Sequence, residues 1–164
     1  MDVFEAIAKR HSVRKYNPTP VAREQIEKIV DAGRRAPTAM NVQPWEFVVV
    51  TDQKMRKTLA ETCDYGKFFA DAAVCIVTLC KDTKYYLEDG CAAMENMLLA
   101  ATGLGLGTCW VAGDKKAYAE EICRTLGAPA GFRLVGLMAV GVPAESPRTT
   151  EKRPLAKVIH YEKW

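Results

Sequence analysis

Between residues 10 and 16 the chain reads RHSVRKY, which places two arginines, a lysine, a histidine and a serine within seven positions. Such a run suits a phosphate, a nucleic acid or the end of a helix. Basic residues at a helix C-terminus complement its dipole, which accounts for Lys9 and Arg10 but gives Ser12, Arg14 and Lys15 nothing to do. A phosphate site draws charge-assisted donors from several directions, with forked geometry from arginine and a compact donor from a serine hydroxyl. Arg14 falls one helical turn beyond Arg10 in the numbering.

Two further segments carry chemistry-bearing groups. APTAMNVQPW, residues 36–45, combines small residues with the amides Asn41 and Gln43 and two prolines. It reads either as a rigid loop or as a surface for a planar polar ligand, and composition alone does not choose. TGLGLGTCW places Gly103, Gly105 and Gly107 in a G-x-G-x-G pattern that follows a helix and precedes a strand. The dinucleotide fingerprint requires G-x-G-x-x-G after a strand and before a helix. The order here is reversed, so these glycines read as a helix C-terminus with left-handed residues and close backbone packing.

The elements around these segments are legible from periodicity and caps. Val3, Phe4 and Ile7 recur at helical spacing behind Asp2, an N-cap residue, so a helix ends near Arg10. A second helix runs over 22–35, with Pro37 beyond it. WEFVVVT is a β-branched strand, DQKMRKTLAE an amphipathic helix opened by Asp52, and AAVCIVTL a strand buried on both faces. Residues 87–105 are apolar around most of their circumference and predict a central buried helix. GTCWVAGD and GFRLVGLMAVG are strands, and Asp114 is expected to cap an intervening helix that stops at Gly127. Helices and strands mix without strict βαβ alternation, which predicts an α+β fold in one domain spanning 1–164.

Bulk composition sets limits on partners. The 164 residues carry 23 basic and 20 acidic side chains, a net charge of +3. That balance lacks the broad cationic excess of a non-specific nucleic-acid binder. No stretch approaches the ~18 apolar residues that a membrane span needs, and MDVFEAIAKRHS lacks the layout of a signal peptide. The six cysteines show no Cys-x-x-Cys spacing, and His11 and His160 are the two histidines, so a metal site has little to draw on. The expectation is a cytoplasmic protein with reduced thiols, no metal, no nucleic acid and no membrane partner.

Taken together, RHSVRKY, APTAMNVQPWEF, MENMLLAATGLGLGTCWVAG and RPLAKVIHYEKW resemble, in order and over essentially the whole chain, the nitroreductase family of flavin mononucleotide (FMN) enzymes. The resemblance implies an α+β homodimer with a mostly antiparallel central sheet surrounded by helices and FMN at each of two interface sites. It implies that Arg10, His11, Ser12 and Arg14 contact the flavin phosphate and ring, with Arg14 at the pyrimidine edge. It implies that Pro37, Thr38, Ala39 and Asn41 come from the second subunit, Thr38 standing where relatives usually carry serine. Trp110, Val111, Ala112 and Gly113 would lie beside the reactive nitrogen through backbone groups, and Lys152 or Arg153 would address the phosphate. Lys67 falls near a further flavin contact.

The implied activity is transfer of electrons from NAD(P)H through FMN to nitroaromatic or quinone acceptors, the nicotinamide leaving before the acceptor enters. The cofactor carries this chemistry, so no side chain is assigned as catalytic. Alternatives are a specialised dehalogenase, dehydrogenase or flavin-degrading member, and a flavin-binding module without turnover. Larger relatives carry an insertion where this chain has only CKDTKYYLEDG. The site is therefore expected to be open, with Tyr85 and Tyr86 either its walls or a half-buried turn.

Overall fold

The computed structural model describes residues 1–146 and 150–164. Helix α1 (Val3–Lys9) opens where Asp2 accepts a hydrogen bond from Glu5 N–H at 2.9 Å. The two-residue strand β1 (Tyr16–Asn17) follows, then α2 (Arg23–Arg34), β2 (Trp45–Val50) and α3 (Gln53–Thr62). Asp52 caps α3 by accepting from Met55 N–H at 2.7 Å. Strand β3 (Val74–Lys81), helix α4 (Tyr86–Gly103), strand β4 (Gly107–Ala112), helix α5 (Ala119–Thr125) and strand β5 (Phe132–Pro143) complete the fold.

All strand pairings between named strands are antiparallel. Strand β5 lies at the centre, with β3 and then β2 along one edge and β4 and β1 along the other. This is the α+β arrangement expected. Side chains alternate across the sheet and feed two cores. Cys75, Val77 and Leu79 meet Leu59, Phe69 and Ile122 from α3, α5 and their flanks. Val74, Ile76 and Cys80 meet Ile26, Ile29, Met94 and Met97 from α2 and α4. Strand β3 is therefore buried on both faces, and α4 is enclosed around most of its circumference, as their continuous apolar runs require.

Two expectations change. Asp114 does not cap a helix: α5 begins at Ala119, and the Asp114 carboxylate instead accepts from the Tyr86 hydroxyl and pairs with Arg133 at 3.2 Å. A partner on another element outcompetes the local backbone donors. The apolar stripe of α1 is also not core. Only Ala6 is buried there, while Val3, Ile7 and the 80% exposed Phe4 face outward. The glycine triplet behaves as read: Gly105 adopts φ +76° just past α4, and a Cβ on Gly107 would approach Val13 to within 2.8 Å. The six cysteines are free thiols, and no described helix is long and apolar enough to cross a membrane.

Candidate functional site

The basic segment lies along the outer edge of β4. Ser12 forms a parallel bridge with Thr108, and Val13 N–H donates to Thr108 O at 2.8 Å. The chain leaves helical geometry at Arg10, whose φ/ψ of −60°/126° is extended. Arg14 is thus reached along a strand and not by a helical turn. Alternate side chains of an extended segment share a face. Buried Val13 points inward, so Arg10, Ser12 and Arg14 are presented on the other side. Arg10 approaches Glu95 of α4 at 3.8 Å, and the His11 ring Nδ1 lies 2.9 Å from Lys9 O.

Strand β4 has a free edge beyond this bridge. In an antiparallel pair, successive residues turn their backbone groups alternately toward and away from the partner strand. Gly113 N–H donates to Val135 O at 3.2 Å on the β5 side, whereas Thr108 O faces outward to Val13. By the same parity, the N–H and C=O groups of Trp110 and Ala112 face outward. They line a cleft of about 660 Å³ whose other walls include Arg14, Lys67, Phe68 and Tyr118. That volume lies within the ~300–1,000 Å³ typical of small-molecule sites. Gly113 is required at the strand end, because a Cβ there would sit 2.5 Å from Leu134 Cγ.

The charge at this cleft is mainly cationic. Arg14, Lys67 and Lys116 line it, together with Asp64. Lys116 pairs with Asp64 at 3.3 Å and lies 5.3 Å from the centre of the Tyr65 ring, which ties two loops across the mouth. Cys109 lies in the same wall; burial raises its thiol pKa, and Arg14 and Ser12 oppose that shift.

The other expected site residues lie elsewhere in the chain. Pro37, Thr38, Ala39 and Asn41 form a separate loop against α4, where Ala39 N–H donates to the buried Asp89 carboxylate at 3.1 Å and Gln43 N–H to Thr38 Oγ1 at 3.2 Å. Met40, Asn41 and Gln43 all have φ between +51° and +54°. Lys152 and Arg153 lie in an exposed tail, with Arg153 donating to Lys157 O at 2.9 Å. Tyr86 is half-buried at the start of α4, where burial and the Asp114 carboxylate raise its pKa to about 12, and Tyr85 is 40% exposed. Neither lines the cleft.

Sequence reasoning did not single out Asp89, Tyr118 or Lys116. Each acts through a contact on a distant or doubled-back segment, which no local pattern encodes. A burial signal existed only for Asp89, an acid within the apolar circumference of α4.

Comparison with known proteins gives this geometry its relatives. The Nitroreductase family model matches residues 7–72 and 64–142. A protein of Methanothermobacter thermautotrophicus named "Putative NADH dehydrogenase/NAD(P)H nitroreductase" is 36% identical over 170 aligned positions, covering 100% of this chain and 88% of its own. The solved FMN-dependent nitroreductase of Clostridium difficile R20291 superposes with a TM-score of 0.93 at 26% identity, over 98% of this chain and 99% of that one. The NADPH:FMN oxidoreductase of Vibrio harveyi, solved with NAD+, gives a TM-score of 0.89 at 25% identity, over 99% of this chain and 77% of that one. On sequence and fold together, the chain belongs to the nitroreductase family.

Proposed function

We propose that this chain is a homodimeric, FMN-dependent oxidoreductase that takes electrons from NAD(P)H and delivers them to nitroaromatic or quinone acceptors. One observation carries the reading: the free edge of β4 and Arg14, which follows Ser12 along that edge, meet at one cationic cleft of ligand size. Relatives named for FMN and NAD(P)H support it.

The residues present fit the cofactor. A flavin needs backbone donors along one ring edge, a cation near its pyrimidine and several donors at its phosphate. The outward N–H groups of Trp110 and Ala112 offer the first and Arg14 the second, and Arg10, His11 and Ser12 on the same segment would supply the third. Pro37, Thr38, Ala39 and Asn41 would be supplied from the second copy, and Lys152 or Arg153 would complete the phosphate contacts. Bound FMN supplies the redox chemistry. The chain's part is to hold the ring and to offset its negative charge with the Arg14 guanidinium.

Exposed apolar side chains support the dimer. Val3, Phe4 and Ile7 on α1, the 90% exposed Met40, and Leu155, Val158, Ile159 and Trp164 in the tail all face outward in one chain. A second copy packed over these side chains would remove them from water. The test is direct. The purified protein should be yellow, sediment as a dimer at micromolar concentration and consume NADH or NADPH when given a quinone or nitroaromatic. A colourless monomer that fails to take up FMN would overturn the reading, and a yellow dimer without turnover would make it a binding module.

A further inference from the structure

Ala112 is the last residue of β4, and its outward carbonyl does not stay open to the cleft. Tyr118 donates its hydroxyl hydrogen to that oxygen at 2.6 Å. The chain doubles back to make this possible, with Lys116 N–H on Gly113 O at 3.1 Å and Ala119 N–H on Lys116 O at 3.0 Å. Tyr118 is only 5% exposed and packs in the same core as Leu59, Phe69 and Ile122. The Cys63 side chain packs in that core as well.

The Ala112–Gly113 peptide is therefore held at both ends. Tyr118 takes its carbonyl and Val135 O takes its N–H. What Ala112 still presents outward is its N–H, a donor. We propose that Tyr118 is a positioning residue of the cleft, which removes the Ala112 carbonyl from the free edge so that Ala112 offers the flavin a donor and no acceptor. This rests on the reading above, that FMN occupies the cleft beside residues 110–113.

The consequence has a sign. The reactive ring nitrogen of a flavin accepts a hydrogen bond when oxidised and donates one when reduced. With Ala112 as a donor only, a ring nitrogen seated against it is favoured in the oxidised form. A released carbonyl would accept from the reduced form and favour it instead. Tyr118 thus holds the midpoint potential down.

The test is Tyr118→Phe, which keeps the buried ring and deletes only the hydroxyl. A net hydrogen bond is worth roughly 0.5–1.5 kcal/mol, or about two- to tenfold in relative affinity for the two redox forms. For a two-electron couple the upper end is a rise of about 30 mV in the midpoint potential of bound FMN. In the flavin-free protein, amide exchange across residues 110–118 should quicken severalfold. Ala119→Pro, which removes the Ala119 N–H from Lys116 O and disfavours the helical backbone that Tyr118 adopts, should move both readouts the same way, and serves if Tyr118→Phe does not fold. An unchanged or lowered potential in a folded, FMN-loaded variant would overturn the assignment, as would unchanged exchange in the flavin-free variant. Failure of the wild type to bind FMN would overturn the functional reading, and the exchange measurement would still test the latch.

Discussion

The wall of the cleft and the loop at 37–43 are both proposed to hold one cofactor, yet they are held in opposite ways. The wall is backed by packing: Val13 and Val111 are buried, Gly113 has no room for a side chain, and the strand is zipped to β5 over six residue pairs. The loop has little behind it. Its shape depends on three non-glycine residues in left-handed conformation and on hydrogen bonds to Asp89 and Thr38. Left-handed backbone costs roughly 1–2 kcal/mol per non-glycine residue, so the loop stores strain where the wall stores none. A site built from a rigid half and a strained half fixes the ligand on the first and leaves the second able to adjust.

That contrast breaks most sharply at Gly113. Valine there would drive Cβ into Leu134 and to 3.1 Å from Gly136 Cα. Overpacking of this kind costs about 1–3 kcal/mol or more, and a shift of roughly 2–4 °C per kcal/mol is expected for a chain this size. Calorimetry should show a melting temperature lower by about 10 °C; an unchanged melt would mean that the wall yields as easily as the loop.

Next come the donors on the wall. Replacing Arg10 or Ser12 by Ala should weaken FMN more than riboflavin, because the lost groups are the ones proposed to address the phosphate. A charge-assisted hydrogen bond contributes roughly 1.5–3 kcal/mol, so FMN affinity should fall about ten- to a hundredfold in a fluorescence titration. Equal losses for the two flavins would remove these residues from the phosphate.

Arg14→Gln probes the ring end of the same face. Coulomb attraction over about 4 Å at an effective dielectric of about 20 is roughly 4 kcal/mol, most of it cancelled by desolvation and by water entering the site. If ~1.4 kcal/mol survives, the two-electron midpoint potential falls by about 30 mV. Spectroelectrochemistry would read this, and a potential that rises would place Arg14 away from the ring.

The smallest effect belongs to the loop. Met40→Gly relieves one left-handed residue but adds freedom to the unfolded chain, so the net stabilisation should be below about 1 kcal/mol. FMN affinity should drop at the same time if strain keeps the loop in its binding shape. A variant that is both less stable and equally tight would show that the strain is not there.

How much of this was legible in the sequence follows from the range of each signal. Asp2 and Asp52 were readable as caps because a cap bonds a donor three residues away. The buried runs of β3 and α4 were readable because burial on both sides is written as continuous apolarity. Ser12 and Arg14 stood out by composition, and the fold places them where β4 is open. Strand β1, two residues long, is too short for any period and exists because β5 overhangs it. Asp114, Asp89 and Tyr118 find their partners through tertiary contacts, so no window of local sequence reports them. The left-handed bend at 40–43 contains no glycine, the residue whose presence would have announced it.

Strand β5 pairs with three others, and it follows all of them along the chain. On a ribosome the consequence is one of timing. Until residues 132–143 emerge, β3 has β2 on one side and nothing on the other, and β4 has no strand partner at all. These are apolar strands with bare edges, the kind that pair with neighbouring nascent chains. The sheet cannot assemble vectorially from the N-terminus, because its contacts join Tyr16 to Pro143 and Val74 to Val140. Such long-range pairing slows folding. The arrival of one strand after all those it pairs with is therefore the step that turns a set of sticky intermediates into a closed structure, and the interval before it is when chaperones have most to protect.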